Sequence, residues 1–189
     1  MSLLEKKEIR KKILSIRDAI DENVKILKDY KIRNRLIQMP EFIYSNKILL
    51  YASFRSEVDT MDLLKYCLNT NKIVVFPKVN RIKDCLNLYK ISQIDDLKVG
   101  YAGILEPDVS ESQRVVVNEL DLIIVPGVAF DENCNRLGYG KGFYDKLLKN
   151  FKKTTIGLAY EEQIIELLTV ESHDVKINKI ITDERVIVC

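Results

Sequence analysis

Residues 120–127 read Leu-Asp-Leu-Ile-Ile-Val-Pro-Gly. The run Leu122 to Val125 is continuously apolar and of strand length, without the alternation of a half-exposed strand, so it reads as a strand covered on both faces. Pro126-Gly127 closes it with a turn. Further runs of strand length lie to either side, at Lys47 to Ala52, Lys72 to Phe76, Leu86 to Ile91, Arg114 to Val117 and Thr154 to Ala159. Apolar residues at helical spacing mark Met61 to Asn69, Gly142 to Phe151 and Glu161 to Leu168. Strand and helix in alternation predict an α/β fold, a single domain over 1–189 with a mainly parallel central sheet flanked by helices. Ligands of such sheets bind beyond the carboxyl ends of the strands, which directs attention to the residues after Val125.

Two helical patterns precede the sheet. Leu3 to Ala19 places Ile9, Ile13 and Ile16 on one stripe, and Asp21 to Met39 begins at a plausible N-cap and is ended by Pro40. These residues, 1–39, are expected to pack on the sheet domain. Lys83 to Asp84 and Gly100 to Glu111 read as surface loops.

A chain of 189 residues, 47% hydrophobic and 31% charged, can bury a core without disulfide or metal staples. Its net charge of +2, from 30 basic and 28 acidic residues, argues against a protein that mainly coats nucleic acid. The distribution is less even: residues 1–35 hold 11 Lys and Arg against 6 Asp and Glu, and the other 154 hold 19 against 22. That surplus suits a nucleic-acid arm, a membrane-surface helix or cations aimed at a phosphate ligand, and composition does not choose among them. Cys67, Cys85, Cys134 and Cys189 lie far apart beside a single histidine, His173, which excludes a zinc-binding pattern. They are expected to be reduced thiols in a cytoplasmic protein. The charged start offers no secretory h-region, and no apolar run approaches the ~20 residues of a membrane span.

The densest cluster in the chain is Arg136-Leu-Gly-Tyr-Gly-Lys-Gly-Phe-Tyr-Asp145, which holds three of the seven glycines. Glycines so close let the backbone approach a ligand and aim several N–H groups at phosphate oxygens, with Lys141 in their midst and Arg136 as a planar fork. Familiar glycine motifs fail at named positions. A Walker A loop needs Gly at 135 and Ser or Thr at 142, where Asn135 and Gly142 stand, and a dinucleotide fingerprint from Gly138 needs Gly where Phe143 stands. The segment Asp131 to Asn135 imitates a calcium loop, but Arg136 and Gly142 replace its required Gly and Glu. What remains is a basic, glycine-rich anion site.

Pro126-Gly127-x-x-Phe130-Asp131 together with the 136–145 string resembles the 5-formyltetrahydrofolate cyclo-ligase family, also called 5,10-methenyltetrahydrofolate synthetases. Three more matches follow the family's order: Lys6-x-x-x-Arg10, then Tyr51-Ala-Ser-Phe-Arg-Ser-Glu57-Val-Asp-Thr60, and then Gly157-Leu-Ala-Tyr-Glu-x-Gln163 leading to Glu171-Ser-His-Asp174. The resemblance implies a Rossmann-type fold shared with sugar-phosphate isomerases. It also implies an ATP- and Mg²⁺-dependent cyclisation of 5-formyltetrahydrofolate through a phosphorylated N5-formyl intermediate. ATP is then expected on Lys6, Arg10, Arg136, Leu137, Gly138, Tyr139, Gly140, Lys141, Gly142, Phe143 and Tyr144. The folate substrate is expected on Ala52, Glu57, Tyr139, Gly140, Lys141, Gly142 and Phe143, and Mg²⁺ on Asp145 and Asp174. Lys141, Arg136 and Glu57 become the expected catalytic residues, while His173 reads as structural. The expected partners are small molecules, with no nucleic acid and no membrane, and the expected state is a monomer. A sugar-phosphate isomerase of the same fold and a catalytically silent folate- or nucleotide-binding module are the alternatives.

Overall fold

The computed structural model describes residues 3–189. Two helices come first, α1 (Leu3–Asp18) and α2 (Glu22–Ile37). The Asp21 carboxylate accepts hydrogen bonds from the N–H groups of Asn23 and Val24 and so caps α2. Pro40 does not end this helix. Gln38 caps it, and Pro40, whose fixed φ suits a first helical turn, opens the short α3 (Pro40–Ile43).

The remaining elements follow in chain order: β1 (Lys47–Leu49), α4 (Met61–Asn69), β2 (Ile73–Asn80), β3 (Cys85–Ile91), β4 (Leu97–Val99), β5 (Leu105–Pro107), β6 (Arg114–Val115) and β7 (Leu122–Val125). After them come β8 (Ala129–Asp131), β9 (Arg136–Leu137), α5 (Phe143–Leu148), β10 (Thr154–Leu158), β11 (Ile164–Ile165), β12 (Lys179–Ile181) and β13 (Val186–Val188). The main sheet has the order β13-β12-β10-β7-β1-β2-β3-β6. Its five middle strands, β12, β10, β7, β1 and β2, run parallel, and antiparallel strands finish both edges. The chain leaves β1 for β2 on one side and later returns to β7 on the other. The strand order therefore reverses between β1 and β7, and a crevice opens beyond their carboxyl ends.

The side chains of β7 explain its uniform apolarity. Leu122 and Ile124 join one buried cluster with Ile48, Val74 and Phe76 and with Leu36, Phe42 and Leu64 from α2, α3 and α4. Ile123 and Val125 point the other way, into a cluster with Leu49, Val75 and Ile180 and with Leu148 of α5. Each such buried side chain contributes about 1.5–3 kcal/mol of transfer free energy.

Several expectations need correction. Glu161 to Leu168 is not a helix: a single 3₁₀ turn at Glu161–Gln163 leads into β11, which pairs with β8. The buried Gln163 side chain donates to the carbonyls of Gly127 and Val128 and accepts from the Tyr160 N–H, so local side-chain bonds override the periodic pattern. The stripe on α1 is also different. Ile13 is buried and Ile9 packs against the same cluster, but Ile16 is 38% exposed, and the inward face also carries Lys6 and Arg17. Gly100 to Glu111 is partly ordered into β5, which pairs with β4, and Lys83 to Asp84 lies in the turn joining β2 to β3. Cys134 and Cys189 form a disulfide, because the β8–β9 turn brings the first to the end of β13, while Cys67 and Cys85 remain free thiols. Among the described residues no helix is long and apolar enough to cross a membrane.

Candidate active site

A cavity of about 540 Å³ lies beyond the carboxyl ends of β7, β1 and β2. Every residue expected at the site from sequence lines it: Lys6, Arg10, Ala52, Glu57, the whole run from Arg136 to Asp145, and Asp174. Four separate segments therefore meet in one place.

The glycine loop leaves β9 and turns before α5. Gly140 and Gly142 have φ of +96° and +66°, a region costly for any side chain bearing a Cβ. A Cβ at Gly138 would sit 2.8 Å from an Arg136 nitrogen. The loop is tied down from α1, where Arg10 Nε donates to the Gly138 carbonyl at 2.7 Å. Lys141 is exposed at the loop's tip. The side chain of Arg136 is buried, and its Nη2 meets Asp145 Oδ1 at 2.8 Å, while its Nε and the nearby Tyr144 hydroxyl are buried without a hydrogen-bond partner.

Lys6 lies 7% exposed, with its Nζ 2.9 Å from Glu171 Oε1 and 3.0 Å from Asp174 Oδ2. Burial lowers the proton affinity of this amine, but the hydrogen bonds to Glu171 and Asp174 and their charges outweigh it and hold the pKa above its ordinary value. Burial alone would raise the pKa of Asp174. The Glu171 N–H and the Lys6 ammonium reverse the balance and hold it below the usual carboxylate range. The N–H of Val175, next in sequence to Asp174, donates to Asp145 Oδ1 at 3.4 Å, so the two aspartate segments adjoin. His173 stands exposed beside them.

These two carboxylates fit Mg²⁺ by donor type, since that ion takes one or two carboxylates and completes its shell with phosphate and water. Among the described residues no cluster of three or more His, Cys, Asp or Glu offers an all-protein cage. Arg136 is paired with Asp145 and Lys6 with Asp174, while Arg10 and Lys141 have no carboxylate partner among the described residues.

Glu57 follows β1 and is 6% exposed. It accepts from the Phe54 N–H and from the Tyr139 hydroxyl, each at 2.9 Å. Burial, the largest influence, raises its pKa above the ordinary carboxylate value, and the Phe54 N–H, the Tyr139 hydroxyl and the Arg17 charge oppose that rise. Tyr139 is itself pushed up to about 12 by burial and by the charge of Glu57. Behind this pair stands Arg17, 2% exposed, whose Nη2 donates to Tyr139 Oη at 2.9 Å and whose Nε donates to Ser56 Oγ at 3.0 Å. Because the phenol oxygen accepts from Arg17, its own hydrogen is directed at Glu57. The sequence reading missed Arg17. Its signal was present, since positions 6, 10, 13 and 17 share one helix face.

The model of the 5-formyltetrahydrofolate cyclo-ligase family matches residues 3–183. The chain belongs to this family. It is 31% identical to the 5-formyltetrahydrofolate cyclo-ligase of Haemophilus influenzae over 179 residues, covering 93% of this chain and 96% of that one. The Escherichia coli 5-formyltetrahydrofolate cyclo-ligase is 30% identical, with 80% of this chain and 86% of its own covered. Among solved structures, the Aquifex aeolicus 5,10-methenyltetrahydrofolate synthetase superposes with a TM-score of 0.86 at 38% identity, over 97% of this chain and 92% of that chain. The Mycoplasma pneumoniae 5,10-methenyltetrahydrofolate synthetase gives 0.77 at 25% identity, over 94% and 98%. Cyclo-ligase family membership accounts for the parallel sheet, its switch point and the order of the four motif segments.

Proposed function

We propose that this protein converts 5-formyltetrahydrofolate to 5,10-methenyltetrahydrofolate at the expense of ATP, with Mg²⁺ and with release of ADP and phosphate. The observation that carries this reading is one cavity bounded both by the cationic glycine loop and by the buried Glu57. The formyl oxygen is a poor leaving group until phosphorylated. In the first step it attacks the γ-phosphorus, and the bond to the bridging oxygen of ADP breaks. N10 then attacks the formyl carbon and loses its proton, and the carbon–oxygen bond breaks to release phosphate.

Phosphoryl transfer asks a protein mainly for positioning and charge neutralisation. Lys6 and Arg10 of α1 and Arg136 and Lys141 of the loop supply the cations, and Lys141, exposed at the tip, follows the transferring phosphate. Asp145 and Asp174 would hold Mg²⁺, which contributes charge neutralisation across the phosphates. Binding of the triphosphate would exchange the internal ion pairs for pairs with ligand. Glu57, with its raised proton affinity, is suited to receive the N10 proton, and Ala52, Tyr139 and Phe143 line the pterin end. The enzyme is taken to act as a cytoplasmic monomer with small-molecule substrates.

The basic surplus of residues 1–35 supports a ligand rather than a nucleic acid. Besides Lys6, Arg10 and Arg17, the side chains of Lys25, Lys28, Arg33 and Arg35 are bound to Asp29, to Glu162 and Asp183, to Asp62 and to the carbonyls of Thr182 and Glu184. The test is the absorbance of methenyltetrahydrofolate in a mixture of purified protein, 5-formyltetrahydrofolate, ATP and Mg²⁺. Absence of an ATP-dependent signal overturns the proposal.

A further inference from the structure

One stretch of the cavity wall takes no part in the chemistry above. The pairing of β1 with β2 ends at Leu49 and Val75, and β2 continues to Asn80, so its last five residues overhang the crevice. Pro77 and Val79 from this overhang line the cavity together with Phe54, Arg55, Tyr101 and Leu105. Two arginines stack on the aromatic members of this wall. The Arg55 guanidinium lies 5.1 Å from the Phe54 ring centroid, and that of Arg81 lies 4.9 Å from the Tyr101 centroid. The two pairs adjoin, because a Cβ at Gly103, in the same turn as Tyr101, would touch the Phe54 ring at 3.8 Å.

Like Arg10 and Lys141, these two arginines carry unpaired charges among the described residues. Lys6 and Arg136 are each neutralised by a carboxylate, whereas neither Arg55 nor Arg81 has an ion-pair partner among the described residues. The carboxylate on this stretch of wall, Glu106, is engaged by the Val79 N–H. Stacking on a ring holds a guanidinium plane in place while leaving its edge donors free, and that edge matches a carboxylate bidentately.

The position selects the ligand. The glycine loop follows β7 by way of the short β8–β9 hairpin, Glu57 follows β1, and this wall rises from β2 and β3. Three strand spacings separate β7 from β3, roughly 14 Å at about 4.8 Å per step. A ligand reacting between the first two loops and reaching this wall is elongated, aromatic in its middle and anionic at its far end. A folate has this build, with a pterin, a p-aminobenzoyl ring and a glutamate in line. Resting on the folate reading of the site, we propose that Arg55 and Arg81 form a carboxylate clamp for the glutamate tail, with Phe54 and Tyr101 flanking the p-aminobenzoyl ring.

The test compares 5-formyltetrahydrofolate with 5-formyltetrahydropteroate, which lacks the glutamate, in wild type, Arg55→Ala, Arg81→Ala and the double variant. The double variant is expected to raise KM for the glutamate-bearing substrate about tenfold, as loss of a charge-assisted hydrogen bond would. The ratio of its KM to that of wild type should stay near one for the pteroate and for ATP. Equal KM changes with both folates, or no change with either, overturn the clamp. Equilibrium binding of p-aminobenzoylglutamate against p-aminobenzoate reads the clamp without turnover. A wild type that prefers the glutamate compound, with that preference lost in the double variant, supports it even where the cyclisation reading fails. Equal binding of both compounds overturns it.

Discussion

Glu57 holds a carboxylate where water scarcely reaches, and its three supporting contacts offset burial only in part. Between the ordinary carboxylate value and its raised value in the fold, the folded protein binds more protons than the unfolded chain. Stability from this group therefore falls as pH rises through that window. Glu57→Gln removes the effect while keeping an acceptor for the Phe54 N–H. Its melting temperature is expected to exceed that of wild type at pH 8, with the difference closing below the unfolded value of 4.5. Turnover should be lost with it. Thermal melts across pH 4 to 8 decide this, and a constant difference would exclude it. Lys141 stands at the other extreme, exposed at the loop tip, so its removal should leave stability nearly unchanged. Lys141→Ala is expected to lower kcat by about 10²-fold or more, the cost of one lost transition-state donor. Turnover near wild type would refute its role. Both residues were identifiable from their motifs. Arg17 shares a helix face with Lys6 and Arg10, but spacing alone does not show that this face meets Tyr139 and Ser56.

At the scale of elements, the strands that bury both faces were the most legible. Leu122 to Val125 can satisfy so much apolar surface only inside a covered sheet, and β7 has neighbours on both sides. The edge strand β13 and its neighbour β12 were not read, each being only three residues long and without a distinctive period. Glu161 to Leu168 shows the opposite failure, a persuasive helical period defeated by one amide side chain. Gln163 satisfies the carbonyls of Gly127 and Val128 just beyond β7, and so fixes the base of the glycine-loop segment. Gln163→Ala leaves those carbonyls and the Tyr160 N–H without their partner in a buried setting. The expected loss is about 2–4 kcal/mol from unsatisfied polar groups. The melting temperature should fall by several degrees, at roughly 2–4 °C per kcal/mol for a chain of this size. A change under one degree would show that water replaces the amide.

At the scale of the whole molecule, the site is built where the sheet reverses its order, and three of its walls belong to a core buried on both faces. The fourth wall, α1, is attached differently. Among its described side chains Ile13 is the one fully buried hydrophobe, with Ile9 and Leu14 packed beside it, and the helix is also held by Lys6 on Glu171 and Asp174, Arg10 on the Gly138 carbonyl, and Arg17 on Ser56 and Tyr139. Contacts of this kind give way locally at less cost than a core does. Backbone amides in α1 are therefore expected to exchange with deuterium faster than those of β7, and faster still at high salt, while Mg-ATP slows them. Equal exchange in the two elements, unmoved by nucleotide, would contradict this. The helix that supplies half of the proposed triphosphate cations is thus held to the site in part by those same cations, and the lifetime of its closed state becomes a record of whether the nucleotide is in place.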